Sequence, residues 1–279
     1  MASFLASSDR GRDSWGLYAK NDELHVLKGV GDVAMSDASI IADFLTRTTP
    51  RIIVGNTRAE PTTEYIKNKS RNDIQPFDYG EFVVSHNGII ENDQELINEF
   101  DLHPTSKIDS SILPPIFDKL KTEENIANFL STRFHGSHAI TFMNVNEDKL
   151  CVSVDYKPAY VHYDFEKDYV VVTSLESYYP RFINSKINTT KVPPYTMLCF
   201  QGEQVRQYDL LKQPEKMKVL MVASGGLDST VALAQLVTQG HDVTMLHFNY
   251  SHKAERREQE AVEKIADHYH VQLITIDSS

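Results

Sequence analysis

Residues 218–230 read KVLMVASGGLDST, and this stretch determines how the last part of the chain folds. An apolar run up to Ala223 is followed by two glycines and then by an Ala/Leu-rich segment with helical periodicity. The glycines accept backbone angles that other residues avoid, and they let an anion approach main-chain N–H groups. The helix dipole favours an anion at the same point. We therefore predict a strand, an anion-binding turn and a helix, with the turn formed by Ser224, Gly225, Gly226, Leu227, Asp228, Ser229 and Thr230.

This turn is not a Walker loop, because no Gly-Lys-Ser/Thr follows at the required spacing. Ser-Gly-Gly-x-Asp-Ser after an apolar strand resembles the PP-loop of the N-type ATP pyrophosphatases, which cleave ATP to AMP and pyrophosphate. Residues 246–258, LHFNYSHKAERRE, are similar to the Phe-Asp-Tyr-Gly-Gln-x-His-x-x-Glu region of 7-cyano-7-deazaguanine synthases and less similar to asparagine synthetases. The resemblance implies ATP binding at residues 224–230 and places His252 and Arg256 near the nucleotide. A solvated helix end is the alternative for those two residues.

Two more strands and a helix are predicted after this loop. The first helix, at 230–239, stops at Gly240, and residues 243–248, 253–269 and 271–276 read as strand, helix and strand. We expect the two helices to bury apolar side chains against the sheet, namely Val231, Leu233, Ala234, Leu236, Ala261, Val262, Ile265, Ala266 and Tyr269. Three strands are few for a parallel sheet, so exposed apolar sheet surface is expected unless another chain covers it.

Composition limits the class of protein. The chain has 279 residues, 41% of them apolar, which is enough for one large or two medium domains. Its net charge of −11 argues against direct nucleic-acid binding. Cys151 and Cys199 lie in apolar runs, which predicts buried free thiols in a reducing compartment and neither a disulfide nor a cysteine zinc site. No run is long enough to span a membrane, and residues 1–5 lack a signal-peptide pattern, so we expect a cytoplasmic protein.

The N-terminal part alternates between strand and helix periods. Strands are predicted at 3–7, 15–20 and 23–28, and a helix is predicted at 37–46. A strand at 51–56 is expected to end in a polar loop at 57–63, which contains Pro61. Another apolar strand begins at Glu81 and is expected to end in a turn at Asn87-Gly88.

That last segment carries a second resemblance. VVSHNGIIEN, at 83–92, is similar to the oxyanion segment of class II (N-terminal nucleophile) glutamine amidotransferases, and GNTR, at 55–58, resembles their glutamine-binding loop. An amide at Asn87 and a backbone N–H at Gly88 can direct two donors at one carbonyl oxygen. The planar guanidinium of Arg58 suits a carboxylate. The family implies that Asp109 holds the glutamine α-amino group. The alternatives are a hairpin turn for Asn87-Gly88, a surface ion pair for Arg58 and a helix N-cap for Asp109.

Residue 2 departs from that family. Its members carry a cysteine directly after Met1, which attacks the glutamine amide while the freed α-amine serves as the base. Here the residue is Ala2, and a methyl group cannot form a thioester. Either the glutaminase activity is absent, or alanine replaces a natural cysteine.

The complete chain is interpreted as an α+β amidotransferase-like αββα sandwich followed by an α/β PP-loop domain. Strand-rich residues 150–211 complete the first domain, which we set at 1–208; 209–216 form a linker, and 217–279 begin the second domain. This order resembles fused amidotransferase/7-cyano-7-deazaguanine synthase proteins of some DNA viruses, which would place the protein in the host cytoplasm. The resembled synthases continue further and bear a four-cysteine zinc site, so we expect a fragment, completed by a partner chain or a homo-oligomer.

The resemblance implies glutamine, ATP and a 7-deazaguanine precursor as small-molecule ligands, with Mg²⁺ accompanying ATP and zinc only in the absent C-terminal part. ATP would adenylate the carboxylate of 7-carboxy-7-deazaguanine, and ammonia would displace AMP. A second ATP-dependent step would then give the nitrile, or an amidinated derivative would form. Two alternatives stay open: an asparagine synthetase-like ligase, and an inactive glutamine- or nucleotide-binding subunit.

Overall fold

A computed structural model of the chain describes residues 1–36, 38–59, 69–166, 168–179, 187–211, 217–250 and 255–277. The chain divides into two compact units, Met1–Leu211 and Lys212–Ser279. The division falls inside the predicted linker, of which residues 212–216 lie outside the described part. None of the described helices has the length and apolar character needed to cross a membrane.

The described part of the first unit contains five α-helices and twelve strands. The helices are α1 (Ala2–Ala6), α2 (Ala38–Thr48), α3 (Asp93–Glu99), α4 (Leu113–Leu120) and α5 (Glu123–Thr132). The strands are β1 (Ser14–Lys20), β2 (Leu24–Val30), β3 (Ile52–Arg58), β4 (Phe77–Tyr79), β5 (Phe82–Ile90), β6 (Gly136–Asn144), β7 (Lys149–Val154), β8 (Tyr160–Asp164), β9 (Tyr169–Thr173), β10 (Ile187–Lys191), β11 (Thr196–Gln201) and β12 (Gln204–Asp209). They form three antiparallel sheets, in the orders β2-β1-β3, β10-β8-β9 and β12-β11-β7-β6-β5-β4.

Strand β1 is buried along its whole length because both of its faces are covered. Trp15 and Leu17 pack against Ile41 and Phe44 of α2. On the other face, Tyr18 lies in a cluster with apolar residues of β3 and the six-stranded sheet, namely Val54, Val83 and Met143. The sheet around β1 is therefore packed between a helix on one side and the six-stranded sheet on the other.

The far side of the six-stranded sheet is covered by helices. Phe82 and Phe142 of the sheet share a core with Ile116 and Phe117 of α4 and Phe129 of α5. The sheet containing β8 packs separately, in a cluster that joins Val161 to Val152 and Phe200. Alternation along β5 sends Phe82 and Val84 to the core under the helices and Val83 to the cluster with Tyr18.

Residues 3–7, predicted as a strand, are helical instead. Helix α1 spans Ala2–Ala6, and a 3₁₀ turn follows at Ser7–Arg10. Phe4 and Leu5 pack on the core beside Trp15, and Ser7 Oγ donates to Phe4 O at 2.7 Å. A short apolar run fits either period, so tertiary packing decided between them.

Two predicted strand ends are also wrong. Strand β3 continues through Thr57 and Arg58, which pair with Trp15 and Ser14 of β1; residues 60–63 of the predicted loop lie outside the described part. Asn87 and Gly88 form no turn but lie within β5, opposite Ala139 and His138 of β6. Pairing with a long neighbouring strand outweighs the local turn preference of Asn-Gly.

The prediction of free thiols is wrong as well. Cys151 and Cys199 are buried as expected, but they form a disulfide, with their Cα atoms 4.1 Å apart. The two residues lie directly opposite each other on β7 and β11, which brings both side chains to the same face. The inference of a reducing compartment rested on free thiols and loses that support.

The second unit is a three-stranded parallel sheet with two helices. Strands β13 (Lys218–Val222), β14 (Asp242–Asn249) and β15 (Gln272–Asp277) lie in chain order, and α6 (Leu227–Thr238) and α7 (Glu255–Tyr269) connect them. Helix α6 begins three residues before the predicted Thr230 and ends at Thr238, one residue before the predicted Gln239; Gly240, predicted to stop it, follows with φ +81°. The loop and the βαβ order are confirmed, whereas His252 lies outside the described residues.

Both helices cover the same face of this sheet, since their side chains share one core with Val243 and Met245. Val262 and Ala266 of α7 are buried there, as predicted. On α6, Leu233 and Leu236 pack in this core as predicted, whereas the predicted core residue Val231 is 56% exposed. The opposite face of the sheet carries large exposed apolar side chains, as predicted; they are Leu220, Val222, Ile274 and Ile276.

Candidate functional site

One edge of β5 is left open beyond the short strand β4. Strand β4 pairs with Phe82–Val84, and none of the described strands pairs with residues 86–90 on that side. Val145 N donates to Glu81 O and Glu91 N donates to His135 O, both at 2.9 Å. Odd-numbered residues of β5 therefore bond to β6, and the N–H groups of even-numbered residues face the open edge.

Gly88 N–H is the middle one of three N–H groups on this edge. His86 N donates to Gln75 Oε1 at 2.8 Å, and Ile90 N donates to Asp109 Oδ2 at 2.8 Å. No described residue accepts a hydrogen bond from Gly88 N–H between them. This N–H is therefore available to an acceptor outside the described protein groups.

Position 88 admits only glycine at this point. A Cβ there would lie 1.8 Å from Ser137 O on β6 and 2.5 Å from His86 Nε2. Both neighbours are fixed by the strand pairing and by burial. A side chain at position 88 would therefore force β5 away from β6 or displace the His86 imidazole.

Asp109 reaches the same edge from the start of a 3₁₀ turn, Asp109–Ile112. Its carboxylate accepts a hydrogen bond from Ile90 N–H and also lies 2.6 Å from Ser110 N and 3.0 Å from Ser110 Oγ. A carboxylate has about four lone-pair directions, so at least one remains for a further donor. The predicted N-cap alternative does not describe this residue, because Ile108 is the N-cap residue of this turn and Asp109 is its first residue.

Strand β3 contacts strand β5 at Asn56 and Ser85, two residues before Arg58 and Asn87. Asn56 Nδ2 donates to Ser85 Oγ at 2.9 Å, and Val54 shares a core with Val83, two residues earlier on each strand. The next step of the same pattern brings Arg58 to the side of Asn87. Asn56 Oδ1 is buried there and accepts no hydrogen bond from a described residue.

The two histidines of this region are neutral near pH 7. Burial lowers the pKa of His86, and this effect exceeds the opposing one of the Asp109 charge. Burial likewise lowers the pKa of His138 to about 4, against the influence of Asp155. Positive charge beside the open edge therefore comes from Arg58 and Lys157, both close enough to influence the pKa of His86.

Ala2 lies on the exposed side of α1, which runs beside β3. The ring of Phe4 would be 3.0 Å from a Cβ at Gly55, and Thr57 Oγ1 donates to Ser7 O at 2.9 Å. The first residues therefore follow the strand that carries Asn56 and Arg58. Among the described residues, no hydrogen bond joins Ala2 to Asn87 or Gly88.

In the second unit, the loop from Ser224 to Gly226 connects β13 to α6. Gly225 has φ +75°, and a Cβ there would lie 2.9 Å from Ala261 Cβ of α7, so glycine is required on two grounds. Gly226 is the N-cap of α6 and supplies no side chain to the first-turn N–H groups. Those N–H groups are open to an anion.

The side chains around this loop differ in what they offer. Ser224 and Asp228 are exposed at the turn, and so is Leu227. The hydroxyls of Ser229 and Thr230, expected to add donors for an anion, instead donate to Gly226 O at 3.0 and 2.8 Å. Backbone N–H groups and Ser224 are therefore the donors that remain.

Sequence reasoning missed two residues that hold the end of β14. His247 is buried and bonds through Nδ1 to Ala223 O at 2.9 Å, directly before the loop. Asn249 Nδ2 donates to Gln259 Oε1 and Asp277 Oδ1 at 2.8 and 2.9 Å. By contrast, Arg256 is 92% exposed and pairs with Glu260, which matches the solvated alternative.

Known proteins are similar to both parts of the chain. Residues 218–279 match a family model described as "Queuosine biosynthesis protein QueC", and residues 63–178 match one described as "Glutamine amidotransferase domain". The predicted combination of an amidotransferase-like segment with a segment similar to QueC is confirmed at that level. No cluster of three His, Cys, Asp or Glu side chains suited to a metal ion occurs among the described residues.

Three curated relatives match nearly the whole chain. It is 40% identical over 280 residues to a 7-cyano-7-deazaguanine synthase of Sulfolobus acidocaldarius, covering 98% of this chain and 60% of the relative. It is 38% identical over 285 residues to a 7-cyano-7-deazaguanine synthase of Saccharolobus solfataricus, covering 100% of this chain and 61% of the relative. A 7-cyano-7-deazaguanine synthase 2 of Sulfurisphaera tokodaii is 38% identical over 278 residues, covering 98% and 59%. The chain thus spans about three fifths of the length of these relatives.

Proposed function

From this likeness we propose that the chain is part of an ATP-dependent enzyme that converts 7-carboxy-7-deazaguanine to 7-cyano-7-deazaguanine. ATP activates the carboxylate by adenylation and releases pyrophosphate. Ammonia then displaces AMP to give the amide, and a second ATP-dependent step removes the elements of water to give the nitrile. The observation that carries this proposal is the 40% identity to a 7-cyano-7-deazaguanine synthase along 98% of the chain. It favours this acceptor over aspartate, the acceptor of an asparagine synthetase-like ligase.

The loop at 224–230 is proposed to hold the phosphates of ATP. Its support is the open N-terminus of α6, the φ of +75° at Gly225 and the exposed hydroxyl of Ser224. Mg²⁺ is proposed to bind with ATP, because this ion is usually held by phosphate oxygens and one or two carboxylates. Asp228 is the exposed carboxylate at the loop and would supply that oxygen.

The first unit is proposed to be an αββα amidotransferase-like sandwich that binds glutamine at the open edge of β5. Arg58 would hold the α-carboxylate, Asp109 the α-ammonium group, and Gly88 N–H with the Asn87 amide would hold the side-chain carbonyl oxygen. The N–H groups of Gly88 and Ile90 are two residues apart, or about 7 Å along the strand, and Asp109 is bonded to the second one. An extended amino acid of the length of glutamine suits that spacing.

A second role follows from Ala2. Since a methyl group cannot attack the amide, we propose that this chain binds glutamine without hydrolysing it. Nitrogen would then reach the synthase reaction as free ammonia. Ammonia release from glutamine by the chain with Ala2 would contradict this role and leave the synthase proposal untouched.

The synthase proposal is tested with ATP and the proposed acceptor. We expect the chain to bind Mg²⁺-ATP by calorimetry, and we expect Ser224→Ala and Asp228→Ala each to weaken binding about tenfold, the loss of one charge-assisted contact. Thr238→Ala is the matched control, because its hydroxyl bonds within the far end of the same helix. Unchanged ATP affinity in both loop variants would remove the loop from the mechanism.

The acceptor is identified by AMP formation. With ammonium present, AMP should form when 7-carboxy-7-deazaguanine is added and should not form when aspartate is added. Formation with aspartate alone would support the asparagine synthetase-like alternative. Failure of the unmodified chain to bind ATP at all would overturn the proposed function of the second unit.

A further inference from the structure

Three buried polar residues surround the open edge of β5 and belong to no assigned site. Gln75, His86 and Ser110 are each 3% exposed. Gln75 accepts from His86 N–H through Oε1, and its Nε2 lies 3.5 Å from Ser110 Oγ. Ser110 Oγ lies 2.8 Å from His86 Nδ1, which closes a ring of hydrogen bonds that runs through the side chains of Gln75 and Ser110 and through both the main-chain N–H and the imidazole of His86. We refer to these three residues as the Gln75 ring.

The direction of each hydrogen bond follows from what each group can donate. His86 Nε2 lies 3.2 Å from Ser137 O, and a carbonyl oxygen can only accept, so Nε2 carries the proton. Because burial lowers the pKa of His86, its imidazole is neutral near pH 7. With the proton on Nε2, the Nδ1 atom can only accept a hydrogen bond. The single hydroxyl proton of Ser110 therefore faces two acceptors, His86 Nδ1 at 2.8 Å and Asp109 Oδ1 at 3.0 Å, and Ser110 N–H donates to Asp109 Oδ1 at 2.6 Å.

The Gln75 ring contacts the two groups of the edge that are proposed to face the ligand, Gly88 N–H and the Asp109 carboxylate. The His86 imidazole packs against Gly88, since its Nε2 would lie only 2.5 Å from a Cβ at that position. Ser110 is adjacent to Asp109 and contacts its carboxylate through both N and Oγ. His86 and Ser110 are thus in direct contact with Gly88 and with the Asp109 carboxylate, and Gln75 joins them through its side-chain amide.

We propose that Gln75, His86 and Ser110 are positioning residues that fix the distance between Gly88 N–H and the Asp109 carboxylate and thereby make the site select glutamine over asparagine, its homologue shorter by one methylene. The proposal rests on the proposed glutamine site and specifies how that site measures the length of its ligand. None of the three residues contacts the ligand. Their effect passes through Gly88 and Asp109.

The test is a series of Ser110 variants in the full chain, with glutamine and asparagine affinities measured by calorimetry. A methylene is worth roughly tenfold to a hundredfold in a fitted site, so the unmodified chain should prefer glutamine by at least about tenfold. Ser110→Ala should reduce that preference severalfold, mainly by weakening glutamine. Ser110→Thr keeps the hydroxyl and should restore it. Ser111→Ala is the matched control, because the neighbouring Ser111 hydroxyl bonds to Ser106 O outside the ring.

A double variant separates positioning from general damage. Gln75→Met removes the Gln75 amide, which bonds to both Ser110 Oγ and His86 N–H, at similar volume. If the ring acts as one unit, Gln75→Met combined with Ser110→Ala should lower the preference no further than either single change. Additive losses, or an unchanged preference in Ser110→Ala, would overturn the proposal.

Failure of the glutamine site itself is recognised separately. If the unmodified chain binds neither amino acid, the proposed function of the first unit is wrong, and the selection proposal falls with it. The hydrogen-bond ring is then judged by the ¹⁵N spectrum of His86, which should show a protonated Nε2 in the unmodified chain and change in Ser110→Ala. A spectrum identical in both would show that Ser110 does not hold the imidazole.

Discussion

Acid should destabilise the first unit through His138, and the size of this effect follows from its surroundings. The imidazole is buried in β6 with Nε2 3.0 Å from Ser153 Oγ, and burial lowers its pKa from 6.5 to about 4. Between those values the unfolded chain takes up a proton that the folded chain refuses, so stability falls as the pH falls through this window. The loss amounts to roughly 2 kcal/mol at pH 5 and roughly 3 kcal/mol at pH 4.

The measurement compares the unmodified chain with His138→Gln in urea at pH 7, 6 and 5. Trp15 is the only tryptophan and is buried in the first unit, so its fluorescence follows the unfolding of the unit that contains His138. Other titrating groups are common to both proteins and cancel in the difference of their free energies of unfolding. The unmodified chain should lose about 2 kcal/mol relative to the variant by pH 5.

An exposed histidine provides the control. His103→Gln removes an exposed imidazole and so controls for the loss of a histidine that is not buried. A difference between the unmodified chain and His138→Gln that stays constant from pH 7 to pH 5 would refute the argument. It would mean that His138 takes up a proton as readily in the folded protein as in the unfolded one.

Three other changes have definite expected outcomes. Gly88→Ala should lower the free energy of unfolding by about 3 kcal/mol or more in urea, because its Cβ would meet Ser137 O at 1.8 Å; an unchanged urea midpoint would contradict the packing of β5 on β6. Ala2→Cys should give ammonia release from glutamine in a coupled assay if the proposed site is competent, and an inert variant that also fails to bind glutamine would count against the amidotransferase assignment. Unfolding without reductant should expose no reactive thiol, and reducing the Cys151–Cys199 bond, which spans 48 residues, should cost about 4 kcal/mol; two titratable thiols would exclude the disulfide.

What the sequence predicted well was local in the chain. The strand, the two glycines and the helix at 218–230 are consecutive, so period and glycine content were enough to predict the loop. The end of α6 shortly before Gly240 and the buried face of α7 follow from the same kind of signal. Each of these features depends on residues within a few positions of one another.

What the sequence did not predict depends on pairing between distant segments. Asn87-Gly88 has the composition of a turn, but pairing with β6 keeps it extended. The disulfide requires the register of β7 on β11, which no spacing in the sequence reveals. Gln75 and Ser110 are 35 residues apart and meet only because both pack against His86.

The alternation of N–H directions along β5 also limits how the length of this strand can change during evolution. Inserting or deleting one residue of β5 ahead of Gly88 would turn Gly88 N–H towards β6 and turn the N–H groups of its neighbours to the open edge instead. A change of two residues would keep the directions. While the open edge is retained, we therefore expect the length of this strand to change only in even steps.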